Sequence, residues 1–251
     1  MKLYIIGDLH LSFASDKPMD IFGAQWENHA ERIRKWWEST VAEEDIVIIN
    51  GDISWALKTE DAVPDLIFVN NLPGRKIIMK GNHELWWTSL TKLDSLKRLH
   101  NLDKIEFMYN NSIYIQEKNV IICGTRGWKS PGDADFSEAD AKILRREAMR
   151  FEMSVKDGIG KTENISQQPT NMIAIFHYPP FCFSKRDTDG EMLAEIHKYG
   201  IKRCYFGHIH GLSNAKYDEN GDVLPVWKNG DTEFYLTSCD YLDFRGIEIK
   251  V

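Results

Sequence analysis

The sequence has little cysteine and no long hydrophobic run, and each lack excludes a class of protein. The four cysteines of the 251 residues stand far apart and form no Cys-x-x-Cys pair, which argues against a disulfide framework and for reduced thiols. The amino terminus offers four apolar residues before Asp8, too few for a signal-peptide core, and no other segment approaches the length of a membrane span. We therefore expect a cytoplasmic protein with no membrane partner.

The chain also lacks an excess of positive charge. It carries 31 Lys and Arg residues against 38 Asp and Glu residues, for a net charge of -7. This balance argues against a broad basic surface for nucleic acid, so an anionic substrate would need a locally positive site. Hydrophobic residues make up 43% of the chain, which is ordinary for a globular protein, and nothing marks a seam between domains. We expect a single domain over residues 1–251, and the sequence does not indicate its oligomeric state.

Apolar runs of strand length alternate with helical periods through the first hundred residues, which favours an α/β fold. Helices are predicted over residues 24–40 and 59–70, and from Trp86 to about residue 100. From residue 105 onward the pattern changes to hairpin-like strands with a tight turn at Asn110-Asn111, which indicates that a second sheet begins there. The strands near the carboxyl terminus are predicted to form a meander.

The segment over about 125–171 is predicted to be a loop, a helix and a second loop. Ser137 and Asp140 have the spacing of a helix-capping pair. The loop that closes the segment is expected from residue 158 to residue 170. Long loops in a compact domain are commonly functional or mobile.

Side chains that bind metals follow directly after apolar runs at five places in the sequence. They are Asp8 and His10, Asp52, Asn82 and His83, His177, and His208 and His210. In four of the five places a glycine precedes the polar residue, and we expect it to turn the backbone with positive φ close to an ion. Since open α/β sheets place their chemistry at the carboxyl ends of strands, and residues i and i+2 of an extended chain share a face, this pattern predicts a metal site.

The order of these motifs resembles the calcineurin-like metallophosphoesterase superfamily of the bacterial type, over positions 7 to 211. The blocks are Asp8-x-His10, Gly51-Asp52, Gly81-Asn82-His83-Glu84, His177, and Gly207-His208-x-His210. The resemblance implies a four-layer α/β/β/α sandwich of two mixed sheets flanked by helices.

The resemblance also implies a dinuclear metal site. One ion would be held by Asp8, His10 and His210, and the other by Asn82, His177 and His208. Asp52 would bridge the two ions. His83 would not bind a metal but would be catalytic, facing the leaving group or a phosphoryl oxygen.

The function implied is a phosphohydrolase that cleaves a small phosphodiester or phosphomonoester by attack of a metal-bound hydroxide. Mixed imidazole and oxygen ligands favour Mn²⁺, with Fe, Zn or Co as the alternatives, over Ca²⁺ and Mg²⁺. A protonated His83 would stabilise the departing oxygen, a general-acid effect worth about 10²–10⁴-fold in rate. The alternative functions are a non-catalytic metal-binding scaffold of the same fold, or a nuclease.

Two departures from relatives narrow the interpretation. Asp52 is followed by Ile53 and Ser54, so the Asp-Arg-Gly motif of the serine/threonine protein phosphatases is missing. Glu84 stands where most bacterial relatives have aspartate; a carboxylate there can orient His83, but the sequence does not assign its role.

Arg126 and Trp87 are the candidate substrate-binding residues. Arg126 is a cationic residue near a strand end, and Trp87 is one of two adjacent tryptophans that cannot share a helix face. A solvated surface position for the arginine and core packing for the tryptophan are the alternatives.

Overall fold

The structure is a computed structural model that describes residues 1–163, 165, 171–186 and 190–251. Its strands are β1 (Leu3–Ile6), β2 (Ile46–Ile49), β3 (Arg75–Met79), β4 (Ile105–Met108), β5 (Ile113–Ile115), β6 (Val120–Thr125), β7 (Asn171–Phe176), β8 (Arg203–Phe206), β9 (Trp227–Asn229), β10 (Thr232–Leu236) and β11 (Ile247–Glu248). Its α-helices are α1 (His29–Thr40), α2 (Val63–Asn71), α3 (Leu90–His100), α4 (Glu138–Thr162) and α5 (Glu191–Lys198).

The chain forms two compact units. The first unit comprises Met1–Phe107, His208–Val223 and Thr237–Lys250, and the second comprises Met108–Gly207, Leu224–Leu236 and Val251. Each unit is built on one mixed sheet accompanied by helices. The predicted α/β fold with two mixed sheets flanked by helices is therefore confirmed.

The sheet of the first unit has the strand order β11-β1-β2-β3-β4. Strands β1, β2 and β3 run parallel, and β11 pairs antiparallel with β1. All residues of β1 and β2 are buried, which explains why both strands are continuous apolar runs without alternation. Because the strands are parallel, their carboxyl ends lie at one edge of the sheet, where the chain next carries Asp8, Asp52 and Asn82.

The sheet of the second unit has the order β5-β6-β7-β8-β10-β9. Its four inner strands are parallel, and β5 and β9 form antiparallel edges. A second sheet is present, as the change of periodicity at residue 105 predicts, and it begins at β5. However, β4 belongs to the first sheet, so Asn110-Asn111 links two sheets and does not close a hairpin.

Helix α4 packs on β6 and begins at the predicted place. Ser137 accepts a hydrogen bond from the backbone of Asp140, and the Asp140 carboxylate accepts one in return from Ser137. The helix runs to Thr162, so the prediction that a loop starts at residue 158 is wrong. Gly158 is needed inside the helix because a Cβ there would lie 2.5 Å from the Ile121 side chain. Residues 164 and 166–170 of the predicted loop lie outside the described residues.

Three other local predictions need correction. The helix predicted over 24–40 is interrupted at Asn28, whose φ of 53° is left-handed, and α1 starts only at His29. Trp86 and Trp87 precede α3, which begins after the capping residue Ser89. The carboxyl-terminal strands do not form a meander, because β10 pairs parallel with β8 and β11 joins the other sheet. Each error concerns a pairing or an end that tertiary contacts decide.

Within the described part of the chain, none of the helices combines the length and the apolar character that crossing a bilayer requires.

We predict that Phe151→Ala destabilises the second unit strongly. Phe151 lies on the buried face of α4 with no exposed surface, and its ring centroid is 4.9 Å from that of Phe176. Truncation of a buried phenylalanine leaves a cavity and costs about 3–5 kcal/mol in the free energy of unfolding, measured by urea denaturation. Met153→Ala on the exposed face of the same helix is the control and should change it by about 0.5 kcal/mol or less. Equal effects of the two substitutions would contradict the assignment of the buried face.

Candidate metal centre

The segments that follow β1 and β2 are joined by backbone hydrogen bonds. The amides of Asp8, His10 and Leu11 donate to the carbonyls of Gly51, Asp52 and Ile53 at 2.8–2.9 Å. The Trp55 amide then donates back to Leu11 at 2.9 Å. The two loops therefore run side by side beyond the sheet edge, and Asp52 is held next to Asp8 and His10.

Asp8, His10 and His210 form a compact cluster in the first unit, and their ligand atoms lie within 4.8 Å of one another. His210 Nε2 is 3.2 Å from His10 Nε2 and 3.5 Å from Asp8 Oδ1. Asp8 and His10 are buried, whereas the His210 side chain is 33% exposed. The His208 amide donates to both carboxylate oxygens of Asp8, at 3.1 and 3.0 Å, and so ties the His208–His210 segment to the end of β1.

The protonation of this cluster fits a divalent cation. Burial lowers the pKa of His10 to about 4 despite the nearby Asp52 and Asp8 carboxylates, so its imidazole is neutral at neutral pH. Burial also lowers the pKa of His210, but hydrogen bonds to Asp240 and Asp8 outweigh it and raise the pKa to about 10. A proton on His210 Nε2 therefore lies next to the His10 imidazole and the Asp8 carboxylate. When this proton is displaced, the two imidazoles and the carboxylate form a donor set that suits Mn²⁺, Fe²⁺ or Zn²⁺.

Positive φ falls on the ligand-type residues themselves. Asp8, His10, Asp52 and His208 have φ values of 59°, 45°, 52° and 71°. The expectation that the preceding glycines carry the positive φ holds for Gly51, at 107°, and is wrong for the other three. Non-glycine residues in this conformation cost about 1–3 kcal/mol each and persist where surrounding contacts hold them, typically at functional sites.

Asp52 connects the cluster to the loop after β3. Its Oδ1 accepts a hydrogen bond from the His83 amide at 2.8 Å, and its Oδ2 lies 4.0 Å from His10 Nε2 and 3.9 Å from His83 Nε2. Ligand atoms of Asp52 and His208 also lie within 4.8 Å of each other. Asn82 is half-buried and directly precedes His83 in this loop. Asp52 thus lies next to both the cluster and the loop that carries His83.

Glu84 is buried and fastens two of these loops together. Its carboxylate accepts hydrogen bonds from the amides of Asp52 at 2.9 Å, Ile53 at 2.6 Å and Gly81 at 2.5 Å. Gly81 is required by this close approach, because a Cβ there would lie 2.5 Å from the backbone nitrogen of Asp52. These contacts give the carboxylate a positioning role that the sequence left open.

Two further residues support the cluster, and sequence reasoning missed both roles. Asp240 Oδ1 accepts a hydrogen bond from His210 Nδ1 at 2.8 Å, which leaves His210 Nε2 facing the cluster. His29 on α1 places its Nε2 3.2 Å from the carbonyl oxygen of His10. His29 is a lone histidine on a helix and Asp240 follows no motif, so only their contacts with His10 and His210 identify them.

A cavity of about 370 Å³ opens beside the cluster. Besides His10, Asp52, His208 and His210, its lining includes His83 and the side chains of Met19, Phe22, Gln25, Trp26 and Trp55. Trp55 stacks on His10 with ring centroids 4.8 Å apart, and its centroid is 4.2 Å from that of His83. Trp87, in contrast, is buried with its ring against Phe107 at 5.1 Å, and its substrate-binding role stays a prediction.

His177 and Arg126 lie in the second unit, at the carboxyl ends of neighbouring parallel strands. Thr125 of β6 and Phe176 of β7 are register partners, and the carbonyl oxygen of Arg126 accepts hydrogen bonds from the amides of His177 and Tyr178. The Arg126 guanidinium lies over the Trp128 ring at 4.5 Å and 3.6 Å from Glu147. The proposed roles of His177 in metal binding and of Arg126 in substrate binding stay predictions.

We predict that metal binding releases about one proton from His210 at pH 7. Because the pKa of this imidazole is raised to about 10, the ion must displace a proton, and the affinity for Mn²⁺ should increase with pH over pH 6–8. Titration calorimetry in two buffers with different ionisation enthalpies measures the release. Binding heats that do not depend on the buffer would contradict the assignment.

We also predict that Asp240→Asn weakens Mn²⁺ binding about 10- to 100-fold, because the carboxylate that orients His210 is lost. The variant should release less than one proton on binding. Asp243→Asn is the matched control, since Asp243 pairs with Arg32, at 2.5 Å. Competition with a metal indicator measures both affinities, and equal affinities would remove Asp240 from the metal centre.

The chain is similar to one known protein family and to solved structures. The family model described as calcineurin-like phosphoesterase matches residues 1–212. A solved protein of unknown function from Aquifex aeolicus is 18% identical with a TM-score of 0.50, covering 98% of this chain and 95% of that one. The phosphopantetheinyl hydrolase of Mycobacterium tuberculosis is 14% identical with a TM-score of 0.52, covering 99% and 95%. At these identities the two structures are evidence for the fold alone.

No curated protein is similar enough in sequence to count as a match. The family model spans most of the chain and includes every block of the motif set from Asp8 to His210. The protein therefore belongs to the calcineurin-like phosphoesterase family.

Proposed function

We propose that the protein is a phosphohydrolase that uses two divalent ions to cleave a phosphodiester or phosphomonoester of a small substrate. The family supplies the phosphoester chemistry and its dependence on metal. The observation that carries the proposal is the cluster of Asp8, His10 and His210, with Asp52 beside it, opening into a cavity that His83 lines. This is a place where an ion, a phosphoryl group and a proton donor can meet.

The residues that would hold the ions follow the resemblance. Asp8, His10 and His210 would bind one ion, and Asn82, His177 and His208 would bind the other, with Asp52 between them. Two such ions would supply Lewis acidity, which lowers the pKa of water and polarises the P–O bonds of an ester. Mn²⁺ is the ion we expect to activate the protein, with Fe, Zn or Co as the alternatives.

The charge of the site explains how an acidic chain would attract an anion. Asp8 and Asp52 offset two of the four positive charges of a filled site, so the cavity would be about two units positive. The whole chain carries a formal net charge of -7. A phosphate ester would therefore be drawn to this cavity and away from the rest of the surface.

His83 would protonate the leaving group. Its backbone amide is held by Asp52 Oδ1, while its side chain is 38% exposed and lines the cavity beside Trp55. An imidazole fixed by its backbone and open to the cavity can give a proton to the departing alkoxide oxygen.

The proposal predicts metal-dependent hydrolysis of generic phosphoesters. Purified protein loaded with Mn²⁺ should release p-nitrophenol from bis-p-nitrophenyl phosphate, from p-nitrophenyl phosphate or from both, and a chelator should stop the release. The preferred ester would separate diesterase from monoesterase. Absence of turnover of both esters, with bound metal confirmed by elemental analysis, would defeat the proposal.

Two substitutions separate metal binding from proton transfer. Asp52→Asn should abolish hydrolysis and lower the metal content, because a ligand of both ions loses its charge. His83→Ala should reduce kcat by about 10²–10⁴-fold while metal content stays near that of the parent. The controls are Asp61→Asn and His197→Ala, which change exposed residues of the same types. Loss of metal in His83→Ala would contradict the role given to His83.

The same assays distinguish the alternative functions. A scaffold would bind metal in full and hydrolyse neither ester. A nuclease would nick supercoiled plasmid at a rate that exceeds its turnover of small esters. The acidic balance of the chain argues against the nuclease.

A further inference from the structure

The cavity beside the metal cluster has an aromatic wall that the hydrolytic chemistry does not use. We define this wall as Met19, Phe22, Trp26 and Trp55. Met19 and Trp26 are buried, whereas Phe22 keeps 52% of its surface exposed. Because Phe22 lines the cavity, it offers an apolar surface to a ligand bound there.

Two short 3-10 helices place three of these side chains in the cavity lining. Residues Met19–Phe22 form a 3-10 helix, in which positions i and i+3 lie on the same face, so Met19 and Phe22 point together. Gly23, at φ 131°, then redirects the chain into a second 3-10 helix that places Trp26 in the same lining. The segment over residues 19–26 thus contributes Met19, Phe22 and Trp26 to the wall.

The wall is continuous with the cluster of Asp8, His10 and His210. The rings of Phe22 and Trp55 are nearly parallel, at 13°, with centroids 6.4 Å apart. Trp55 in turn stacks on His10, at an interplanar angle of 24°. A group attached to a phosphoryl at this cluster would therefore lie near the half-exposed Phe22 ring, which lines the same cavity.

The charges around the wall disfavour a substrate with a cationic group at this position. Lys17 already places its ammonium 3.8 Å from the centre of the Trp55 ring, which would repel a second cation. Among the described residues that line the cavity, Asp52 is the one acid, and it belongs to the metal cluster. The wall suits an uncharged flat ring that stacks on aromatic side chains.

We propose that the substrate is a phosphoester whose alcohol carries a flat, uncharged aromatic ring that stacks on Phe22. This inference rests on the proposed function and names the substrate class of the same site. Phe22 is a specificity-determining residue, because it would contact the ring and not the reacting phosphoryl. Trp55 supports the wall, since its ring already lies against His10, His83 and the Lys17 ammonium.

The test compares esters whose leaving groups are similar in size and basicity but differ in flatness. Benzyl phosphate and cyclohexylmethyl phosphate, together with their methyl diesters, are assayed with the Mn²⁺-loaded protein. We expect kcat/KM to favour the benzyl ester of whichever class is cleaved. Choline phosphate serves as the cationic probe and should be the poorest of the monoesters.

Phe22→Ala should lower the ratio of benzyl to cyclohexylmethyl kcat/KM by about 5- to 150-fold, the range that corresponds to one aromatic stacking contact. Phe22→Tyr should restore the ratio. Ile21→Ala is the matched control, because Ile21 is an exposed apolar residue of the same 3-10 helix that does not line the cavity. Its ratio should equal that of the parent.

Each outcome has one meaning. Equal kcat/KM for benzyl and cyclohexylmethyl esters, a ratio that Phe22→Ala leaves unchanged, or a preference for choline phosphate would overturn the flat-ring proposal while leaving the hydrolase intact. Absence of turnover of all esters by a protein with confirmed metal would instead overturn the proposed function.

Discussion

The cluster of Asp8, His10 and His210 depends on carboxylates that accept hydrogen bonds from the backbone amides of neighbouring loops. Asp8 accepts from the His208 amide, Asp52 accepts from the His83 amide, and Glu84 accepts from the amides that follow β2. Hydrogen bonds to ionised acceptors are about twice as strong as those between neutral groups. They hold in place residues at a sheet edge whose left-handed backbone conformation is unfavourable by itself.

Two of these carboxylates combine a candidate role in metal binding with a structural role. Asp8 and Asp52 are candidate metal ligands and are also the acceptors that join the loops, so a change to either one affects geometry and charge together. Glu84 and Asp240 differ, because they act on the cluster through other residues. This division explains why the arrangement needs more acids than the ions themselves require, in a chain whose balance is acidic.

The aromatic lining adds a second kind of constraint. Trp55 packs on His10 and His83 and lines the cavity as well, which couples the position of these imidazoles to the shape of the cavity. A family that shares its ligands can change its substrate by changing segments such as Met19–Phe22.

The motif order and the apolar runs were enough to predict the family, the α/β class, the strands β1 to β3 and the capped start of α4. These features are local, since a buried strand needs a continuous apolar run and a capping pair has a fixed spacing. The sequence predicted the strand pairings and the ends of the helices less well. The split of β4 and β5 between two sheets, and the passage of α4 through Gly158, depend on contacts between residues far apart in the chain.

The site shows the same difference between local features, which the sequence predicts, and long-range contacts, which it does not. The sequence by itself determined which residue types could bind a metal, because glycine-flanked aspartates and histidines after strands leave few other uses. Only the tertiary structure decided that Asp240 orients His210, that Glu84 fastens the loops after β2 and β3, and that Trp55 rather than Trp87 lines the cavity. The physical reason is that a hydrogen bond or a ring contact between distant residues leaves no periodic trace in the sequence, whereas a strand end does.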